Sequence, residues 1–588
     1  MFSSAGDAPP VQWAVYRRPI RCQDGTLRRW ERLAPGDSSI LEKSFLSEDI
    51  NEVEIEFGRY TASASGRWMQ AYYWRENKWP LVRGTWFWRD PVDGSICPFG
   101  EADAATIEEA FRDISSGAEE GPIDCELVDT DIVSGTVQFV KEKISSPVTS
   151  SSTLSPSPTI EKVSTRVTHC LYRQTPGFSR SDRVETFRGY PVEWVGRAEE
   201  SLENNNCVAH LVLVVHGIGE ALHNRQNDPF MGSLRFRGHC DLFRDNLNNR
   251  LLESSGENKM VINGRIEVLP VEWAECIHNN TLDRRMESVT IPNLQGVRDF
   301  ANLALSDVFL YTQSEVKDKI SKFIKMRIEY ILKRFLTRNP LQQQQTIVSF
   351  VGHSLGSVVL YDMFNGHLAR KSGNEEEDPP MNQFLISPAA LFFLGSPLAL
   401  FQTIRDPSVS ESPRHVMDLP CRVFNIFHPY DAIAYRVEPL IDTRMKDVEP
   451  ILVPHRGGHR VHVAIKKSIT EIRSAIASFS EWVYSNTAVT PAALSQPVSI
   501  GQGPENQLSR VTSPASNVAE KEEVRFVKMM NYNERIDYVL QESAVESVSE
   551  WVAAVGSHFT YWRHEDVYTF IVSKLIYITK NRSNLDFI

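Results

Sequence analysis

The sequence predicts an α/β fold: a mostly parallel sheet with helices on both faces, preceded by a small aromatic-rich α+β module. From residue 208 onward, apolar β-branched runs end in glycine or polar residues, and helical patterns separate them. Such runs are typical of parallel sheets that are covered on both faces. Before residue 145, tryptophans concentrate and apolar residues alternate with polar ones. A chain of 588 residues is also too long for one core, so more than one domain is expected.

The N-terminal module is predicted from its aromatic residues. Alternation in "VRGTWFWRD" predicts strands, and "EADAATIEEAFRDI" predicts a short amphipathic helix. Its tryptophans fit the core of a small β-rich domain or, as the alternative, the lining of a ligand groove. Seven of the twelve tryptophans lie here: Trp13, Trp30, Trp68, Trp74, Trp79, Trp86 and Trp88.

Two Ser/Pro-rich stretches, 145–159 and 486–520, lack periodicity and predict flexible linkers. These two stretches divide the chain into five predicted parts. They are a module over 1–144, a linker over 145–165, an α/β core over 166–485, a linker or inserted loop over 486–522 and a C-terminal part over 523–588.

The predicted core alternates strands with helices. Its strand-like runs are "VAHLVLVVHGIG", "RIEVLPVEW", "TIVSFVGHSLG", "ALFFLGSP" and "RVFNIFHPYD". Between them, residues 316–338 place isoleucine, leucine and phenylalanine on one face of a helix. Ligands of such sheets bind outside the carboxyl ends of the strands, where the polar residues of these runs emerge.

Composition narrows the class of protein. The net charge of −12 argues against general nucleic-acid binding, which relies on basic surfaces. The eight cysteines are scattered without a C-x-x-C pair, which predicts reduced thiols in a cytosolic protein. The N-terminal segment lacks the basic and apolar regions of a signal peptide. The longest apolar stretch, 384–401, is interrupted by Pro388, Gly395 and Pro397, so it predicts a strand with turns and not a membrane span.

The sequence around Ser354 predicts a catalytic nucleophile. In "TIVSFVGHSLGSVVLYDMF", a G-x-S-x-G motif lies between a strand-like and a helix-like run. This setting is the nucleophile elbow of α/β-hydrolase folds, in which Gly352 and Gly356 leave no room for side chains. The sheet is therefore expected to be α/β-hydrolase-like. The alternative is a structural glycine turn.

A nucleophilic serine also needs donors for the oxyanion and a base that takes its proton. The run "LVLVVHGIG" ends in an HG-x-G loop, which is expected to offer a backbone N–H near Ile218. The N–H of Leu355, the residue after the serine, is the second expected donor. A plain glycine-rich strand end is the alternative.

The acid of a catalytic triad is expected next along the chain. Asp431 ends the run "RVFNIFHPYD", at the strand edge where an orienting carboxylate would stand. Asp406, Asp418 and Asp442 compete with it, although no such clear strand precedes them. A surface or turn aspartate is the alternative.

The histidine is left open by the residues alone. Spacing favours His558, in "GSHFTYWRHED", whereas His455 and His459 would lie near the wrong edge of a parallel sheet. The histidines that follow Asp431 are His455, His459, His462, His558 and His564.

Six ordered motifs together resemble the intracellular phospholipase A1 family with a DDHD domain, of the phosphatidic-acid-preferring type. They are "HLVLVVHGIG", "VGHSLGS", "LFFLGSPLALF", "FNIFHPYDAIAYRVEPLI", "RIDYVLQE" and "SHFTYWRHED". The resemblance covers about 208–580. No SAM-like helical domain stands before "LFFLGSPLALF", so the likeness is to members that lack one. Less strongly, "PLVRGTWFWRD" and "CPFGEADAATIEEAF" resemble the WWE-like region of the same family.

By this resemblance, the residues that name the DDHD domain fall on Asp431, Asp537, His558 and Asp566. Such a set could instead bind a divalent metal for phosphoester hydrolysis. The elbow and the HG-x-G loop have no use in that reaction, so the triad is preferred and no metal or cofactor is expected. Asp537 and Asp566 would then orient His558 or hold the C-terminal segment.

The resemblance implies a serine phospholipase A1 that hydrolyses the sn-1 ester of glycerophospholipids and prefers phosphatidic acid. Ser354, Asp431 and His558 are its expected triad. The substrate is expected at a membrane surface, with the protein cytoplasmic and peripherally associated with intracellular membranes. Protein partners are expected through the WWE-like module, and no nucleic acid. The alternative is a lipid-binding trafficking scaffold with a hydrolase fold.

Two arginines are predicted to hold the lipid phosphate. An acidic protein needs locally basic sites to bind an anionic lipid, and arginine offers phosphate a planar bidentate fork. Arg436 lies five residues after Asp431, and Arg456 lies in the basic run "PHRGGHR".

Overall fold

The structure is a computed structural model, in which two compact units can be described separately. One comprises Met1–Ser201 and Lys333–Pro340, and the other Leu202–Leu332 and Leu341–Ile588. The residues described are 10–21, 27–48, 51–90, 94–116, 123–127, 133–146, 162–174, 181–202, 205–217, 236–258, 262–276, 288–289, 309–340, 346–365, 388–405, 417–454, 521–541 and 557–581.

The first unit contains two antiparallel six-stranded sheets, with helices α1 (Pro35–Leu46) and α2 (Glu101–Ser116). The strands of one sheet are β1 Gln12–Arg21, β2 Leu27–Arg32, β3 Val53–Ile55, β4 Tyr60–Ser63, β5 Trp68–Ala71 and β6 Trp79–Gly84, in the order β2-β1-β6-β5-β4-β3. The strands of the other are β7 Trp86–Arg89, β8 Ile96–Pro98, β9 Ile123–Leu127, β10 Val133–Ser146, β11 Lys162–Gln174 and β12 Ser181–Arg188, in the order β8-β7-β12-β11-β10-β9.

Most tryptophans of this unit form its core. The buried ones are Trp13, Trp30, Trp74, Trp86 and Trp88. The indole N–H of Trp86 donates to Glu108 at 2.9 Å, so its polar atom is satisfied in the interior. Trp68 and Trp79 are half-buried. The contacts therefore favour the core interpretation of these residues over a ligand groove.

The boundary between the units falls at Ser201, later than the predicted start of the core at residue 166. The reason is strand pairing: β12 pairs with β7, with Phe187 opposite Phe87, and β11 pairs with both β10 and β12. Residues 147–161 and 455–520, which contain most of both predicted linkers, lie outside the described residues. Their linker character stays a prediction.

The second unit is built on a seven-stranded sheet in which every pairing is parallel. Its strands are β13 Val208–Val215, β14 Arg265–Val271, β15 Ile347–His353, β16 Ala390–Leu394, β17 Arg422–Phe427, β18 Ile451–Leu452 and β19 Asp537–Val539. In space their order is β14-β13-β15-β16-β17-β19-β18. All residues of β14, β15 and β16 are buried, as expected for strands covered on both faces. The predicted α/β-hydrolase-like class is confirmed.

Helices cover both faces of this sheet. On one face, α3 (Phe236–Asn258) and the C-terminal helix α9 (Glu565–Lys580) share an apolar core with Val351 of β15. The next residue, Gly352, faces the opposite side of the sheet, because a Cβ added to it would meet α5 (Leu355–Phe364). The remaining helices are α4 Ser314–Arg338, α6 Leu398–Arg405, α7 Glu438–Ile441 and α8 Glu522–Met530.

The helix predicted over 316–338 is confirmed as α4. Its apolar face is buried, as in Ile320, Ile324, Ile328 and Leu332. The described part of the apolar stretch 384–401 includes β16 and the first half of α6. Among the described residues, none of the helices combines the length and the apolar character needed to cross a bilayer.

Candidate active site

The turn between β15 and α5 holds Ser354 in a strained backbone conformation. Its φ is 52° and its ψ is −127°, a region that residues other than glycine rarely adopt. This geometry turns the chain sharply from the strand into the helix, as a nucleophile elbow does. The side chain is brought to the carboxyl edge of the sheet, where ligands of open α/β sheets bind.

The two glycines of the motif are needed because the backbone packs too tightly for side chains. A Cβ at Gly352 would lie 2.6 Å from the Ser357 Cα. A Cβ at Gly356 would lie 2.6 Å from the carbonyl oxygen of His216, at the end of β13. The first turn of α5 therefore packs closely against both β15 and the end of β13. This agrees with the motif-based prediction for both positions.

Hydrogen bonds fix the elbow further. The Ser354 N–H donates to the Leu394 carbonyl at 2.9 Å. The Ser357 hydroxyl lies 2.5 Å from the Ser354 carbonyl and 2.6 Å from the Ser396 hydroxyl. The Leu398 N–H donates to the Ser396 hydroxyl oxygen at 3.1 Å. This chain of bonds ties the nucleophile turn to the segment that follows β16.

Asp431 lies four residues beyond the end of β17 and is almost completely buried, at 6% exposure. One carboxylate oxygen accepts from the Ile433 N–H at 2.9 Å, and the other accepts from the Tyr561 hydroxyl at 2.7 Å. His558 Nδ1 lies 2.9 Å from Oδ2 and 3.1 Å from Oδ1. The acid and the histidine are therefore paired, although 127 residues separate them in the chain.

The surroundings of Asp431 keep its carboxylate ionised. Burial by itself raises the pKa of Asp431. The charge of His558 and the hydrogen bonds from His558, Tyr561 and the Ile433 N–H outweigh burial, so the pKa lies below its ordinary value. An ionised acid at Nδ1 holds the imidazole in the tautomer with Nε2 free to accept a proton.

Nε2 of His558 and the Ser354 hydroxyl are the two atoms that a hydrogen bond would join in a catalytic triad, and this structure does not show that bond. Both residues are buried, at 0% and 1% exposure, and neither atom has a hydrogen-bond partner among the described residues. His353, next to the nucleophile, lies with its ring centroid 4.9 Å from that of His558. Its Nε2 also lies 2.8 Å from the His558 carbonyl oxygen. The structure thus brings Ser354, Asp431 and His558 to one edge of the sheet.

The other histidines divide into two groups. His564 caps α9, because its Nδ1 accepts from the Asp566 N–H at 3.3 Å. His455, His459 and His462 lie outside the described residues. Of the two described candidates, only His558 is paired with the acid.

The end of β13 approaches the elbow at Gly217. A Cβ at this position would lie 2.5 Å from the Ser354 Cβ and 3.2 Å from the Leu355 nitrogen. The N–H of Leu355 therefore lies beside the nucleophile and the HG-x-G loop, as an oxyanion donor should. Ile218 lies outside the described residues, so its role as the second donor stays a prediction.

His216 fixes the start of this loop and is not available as a base. Its Nε2 accepts from the backbone N–H of Trp273 at 3.2 Å. Nδ1 therefore carries the proton and donates to the Gly217 carbonyl at 2.7 Å. The imidazole also stacks on Trp273, with ring centroids 4.9 Å apart. Both ring nitrogens are used to hold the loop.

Asp537 is part of a buried ion-pair network. It accepts from the Asn425 amide at 3.0 Å and from the Val437 N–H at 2.9 Å, and Arg436 contacts it at 3.3 Å. Burial and the neighbouring Glu438 carboxylate raise the pKa of Asp537. Its contacts connect β17 to the segment around α7 and do not include His558. The predicted role of orienting His558 has no support in these contacts.

The guanidinium of Arg436 is held by the protein itself. Besides Asp537, it donates to the carbonyls of Met445 at 3.0 Å and Val448 at 2.7 Å. The phosphate contact that the sequence suggested for Arg436 has no support in this geometry, because its donors are directed into the fold. Arg456, the second predicted phosphate ligand, lies outside the described residues.

The four residues proposed as a metal-ligand alternative do not form one cluster. Asp431 and His558 pair with each other, Asp537 lies in the network with Arg436, and Asp566 is buried in the first turn of α9. Within the described ranges, no three His, Cys, Asp or Glu side chains come together as metal ligands.

Gly395 is a site residue that the sequence reasoning missed. Its φ is 58°, and a Cβ there would lie 2.7 Å from Asp431 Oδ2 and 3.1 Å from His558 Nδ1. The acid–histidine pair thus lies directly over the bare backbone of this glycine. The signal was present in the sequence, since a glycine ends the strand-like run "LFFLG".

A model of the DDHD domain matches residues 384–525 and 499–576. The matched region includes Asp431, Asp537, His558 and Asp566, whereas Ser354 precedes it. The WWE-like character of the N-terminal module stays a prediction.

The chain is similar to several named proteins over most of its length. It is 25% identical to triacylglycerol hydrolase DDHD2 of Mus musculus, over 94% of this chain and 91% of that protein. It is 25% identical to phospholipase DDHD1 of Bos taurus, over 89% of this chain and 69% of that protein. It is 22% identical to the SEC23-interacting protein of Homo sapiens, over 94% of this chain and 71% of that protein.

Gly395→Ala is expected to lower kcat/KM on a soluble ester by about a hundredfold, because the new methyl displaces the acid–histidine pair. Gly94→Ala is the matched control. Gly94 also has a positive φ, of 72°, but a Cβ there meets nothing within 4 Å. This control should lose stability but not activity. Equal activity losses in both variants, measured beside their melting temperatures, would contradict the crowding argument.

Arg436→Gln is expected to lower the free energy of unfolding by about 1–3 kcal/mol, since Asp537 loses a charged donor. Activity on phosphatidic acid, phosphatidylcholine and diglyceride should fall by the same factor. Arg525→Gln, at an exposed arginine of α8, should change neither quantity. A selective loss on phosphatidic acid would show instead that Arg436 binds the phosphate.

Proposed function

We propose that this protein is a serine hydrolase of lipid acyl esters. The observation that carries the proposal is the buried Asp431–His558 pair at the same edge of the sheet as Ser354, which lies on a strained elbow. Their chain order, serine, then acid, then histidine, is the order of α/β-hydrolase triads. The relatives named phospholipase and triacylglycerol hydrolase support ester hydrolysis of lipids by this chain as well.

In the proposed reaction, His558 Nε2 takes the proton of Ser354 as the hydroxyl oxygen attacks the ester carbonyl carbon. The N–H of Leu355, together with a predicted donor near Ile218, stabilises the oxyanion, each by roughly 3–4 kcal/mol. His558 then gives its proton to the leaving glycerol oxygen as the C–O bond breaks. In the second half, His558 Nε2 takes a proton from water as the water oxygen attacks the acyl carbon. The bond between the acyl carbon and Ser354 Oγ then breaks, Oγ takes the proton from His558, and the fatty acid leaves.

The finer specificity that we propose is hydrolysis at the sn-1 ester with preference for phosphatidic acid. It rests on the family resemblance of the motifs, and the site geometry adds no phosphate ligand among the described residues. The relatives carry names of both phospholipid and triacylglycerol hydrolases. A substrate panel must therefore include neutral glycerides. Peripheral association with intracellular membranes is part of the same proposal.

A lipid-binding scaffold without catalysis is the second candidate, because one relative is named SEC23-interacting protein. The pairing of Asp431 with His558 argues against it. A scaffold has no need for a fully buried acid–histidine pair, which is costly to desolvate. The two candidates differ in whether Ser354 is required for any turnover.

His558→Ala and Asp431→Asn are expected to lower turnover by about three to four orders of magnitude, and Ser354→Ala should abolish it. His564→Ala is the control, since it removes a nearby histidine that caps α9 and is not the one paired with Asp431. It should keep nearly full turnover. The measurement is product analysis by mass spectrometry on phosphatidic acid, phosphatidylcholine, diacylglycerol and triacylglycerol, with the released lysolipid assigned as sn-1 or sn-2 cleavage.

Turnover that survives Ser354→Ala would refute the serine mechanism. Folded wild-type protein that binds the lipids without releasing any fatty acid would favour the scaffold. Faster release from triacylglycerol than from phosphatidic acid would correct the proposed substrate while leaving the mechanism intact.

A further inference from the structure

Tyr561 donates a hydrogen bond to Oδ2 of Asp431, whereas the Ile433 N–H donates to Oδ1. Its ring is fully buried, and its hydroxyl lies 2.7 Å from Asp431 Oδ2. The backbone N–H of His428 donates to the same hydroxyl oxygen at 2.9 Å. The phenol therefore bridges the strand end of β17 and the acid.

The direction of the proton in this bridge is determined by its partners. The His428 N–H can only donate, so it occupies an acceptor position of the phenol oxygen. The phenol proton is left for the carboxylate, which is an acceptor when ionised. Burial and the negative charge of Asp431 raise the pKa of Tyr561 well above its ordinary value. Tyr561 therefore remains a donor throughout the pH range in which the triad acts.

We propose that Tyr561 is a positioning residue of the triad: its phenol orients the Asp431 carboxylate towards His558 and sets the acidic limb of the pH–rate profile. The inference rests on the proposed function. It concerns a group that touches neither substrate nor reacting atoms, and it assigns a role to the second half of the "SHFTYW" motif.

The position of Tyr561 is fixed independently of Asp431. Its ring packs against Gly395, and a Cβ on that glycine would lie 2.8 Å from the Tyr561 Cε2. The next residue, Trp562, is buried against Phe236 and Phe243 of α3, with centroids 6.4 and 5.6 Å apart. The short 3₁₀ turn Thr560–Trp562 thus holds the phenol through contacts other than its bond to Asp431. A preset donor costs little to organise during the reaction.

Few other titratable groups of the described residues face this pair. His353 from β15 lies against both rings, with its centroid 4.9 Å from His558 and 6.0 Å from Tyr561. His428, from the loop after β17, bonds to the phenol through its backbone and neighbours Tyr430 and His564. The donors that bond the Asp431 carboxylate are His558, the Tyr561 phenol and the Ile433 N–H. The phenol is therefore the main neutral donor that tunes the acid.

The expected sign of the pH effect follows from charge distribution. The hydrogen bond from the Tyr561 phenol partly neutralises the negative charge of the Asp431 carboxylate. Without this bond, the carboxylate interacts more strongly with the His558 imidazolium and stabilises this protonated, inactive form of the base. The acidic limb of kcat/KM, which reports the coupled acid–histidine pair, should then move to higher pH.

The experiment compares Tyr561→Phe with Tyr568→Phe in kcat/KM for p-nitrophenyl butyrate as a function of pH. The control removes a hydroxyl from the same C-terminal segment, where Tyr568 donates to the Arg563 carbonyl at 3.2 Å. Tyr561→Phe should lower kcat/KM about tenfold to a hundredfold, as the loss of a hydrogen bond to a charged group does. Its acidic limb should rise by about half a pH unit or more. Tyr568→Phe should change neither quantity.

A second variant covers the case in which Tyr561→Phe does not fold. Replacing Tyr561 by 3,5-difluorotyrosine keeps the ring and the hydroxyl but makes the phenol a stronger donor, so the acidic limb should move to lower pH. An activity loss without any movement of the limb in the folded variants would overturn the inference and leave a packing role. If wild-type protein hydrolyses the ester but the limb is unchanged, only this inference fails. If wild type does not hydrolyse it, the proposed function fails as well.

Discussion

The site depends on satisfying one buried charge. Asp431 is 6% exposed, so protein donors must replace the water that its carboxylate loses on folding. His558, Tyr561 and the Ile433 N–H supply them, and their combined effect lowers the pKa of Asp431 despite burial. The same donors fix where the imidazole lies. The hydrogen bonds that stabilise this buried carboxylate therefore also position the His558 imidazole as a base.

The parallel sheet makes this arrangement possible from segments that are distant in sequence. Ser354 and Asp431 follow the parallel strands β15 and β17, so both emerge at the carboxyl edge. His558 comes from no strand. It is held through the bond from His353 to its carbonyl, through Tyr561 and through the packing of Trp562. Asp537 stabilises the neighbouring region through Arg436 and Asn425. Asp431, Asp537 and His558, which the family resemblance grouped together, thus have different physical roles.

Much of this could be predicted from sequence, for identifiable reasons. The buried strands and α4 have strong periodicity, and the elbow has a motif whose glycines are required sterically. Spacing favoured His558 but did not decide among the five histidines, because the pairing of His558 with Asp431 depends on tertiary contacts. The ion pair between Arg436 and Asp537 could not be predicted either, because it also depends on tertiary contacts. The boundary at Ser201 falls later than the sequence suggested because β12 pairs with β7, so that Phe187 lies opposite Phe87 of the first unit.

The most direct test of the central claim is covalent labelling with a fluorophosphonate, followed by peptide mapping of the adduct. The account predicts one adduct per chain, on Ser354, formed by wild-type protein and lost almost completely in the folded His558→Ala variant. Labelling of another residue, or equal labelling rates in wild type and His558→Ala, would contradict the claim that the Asp431–His558 pair activates Ser354.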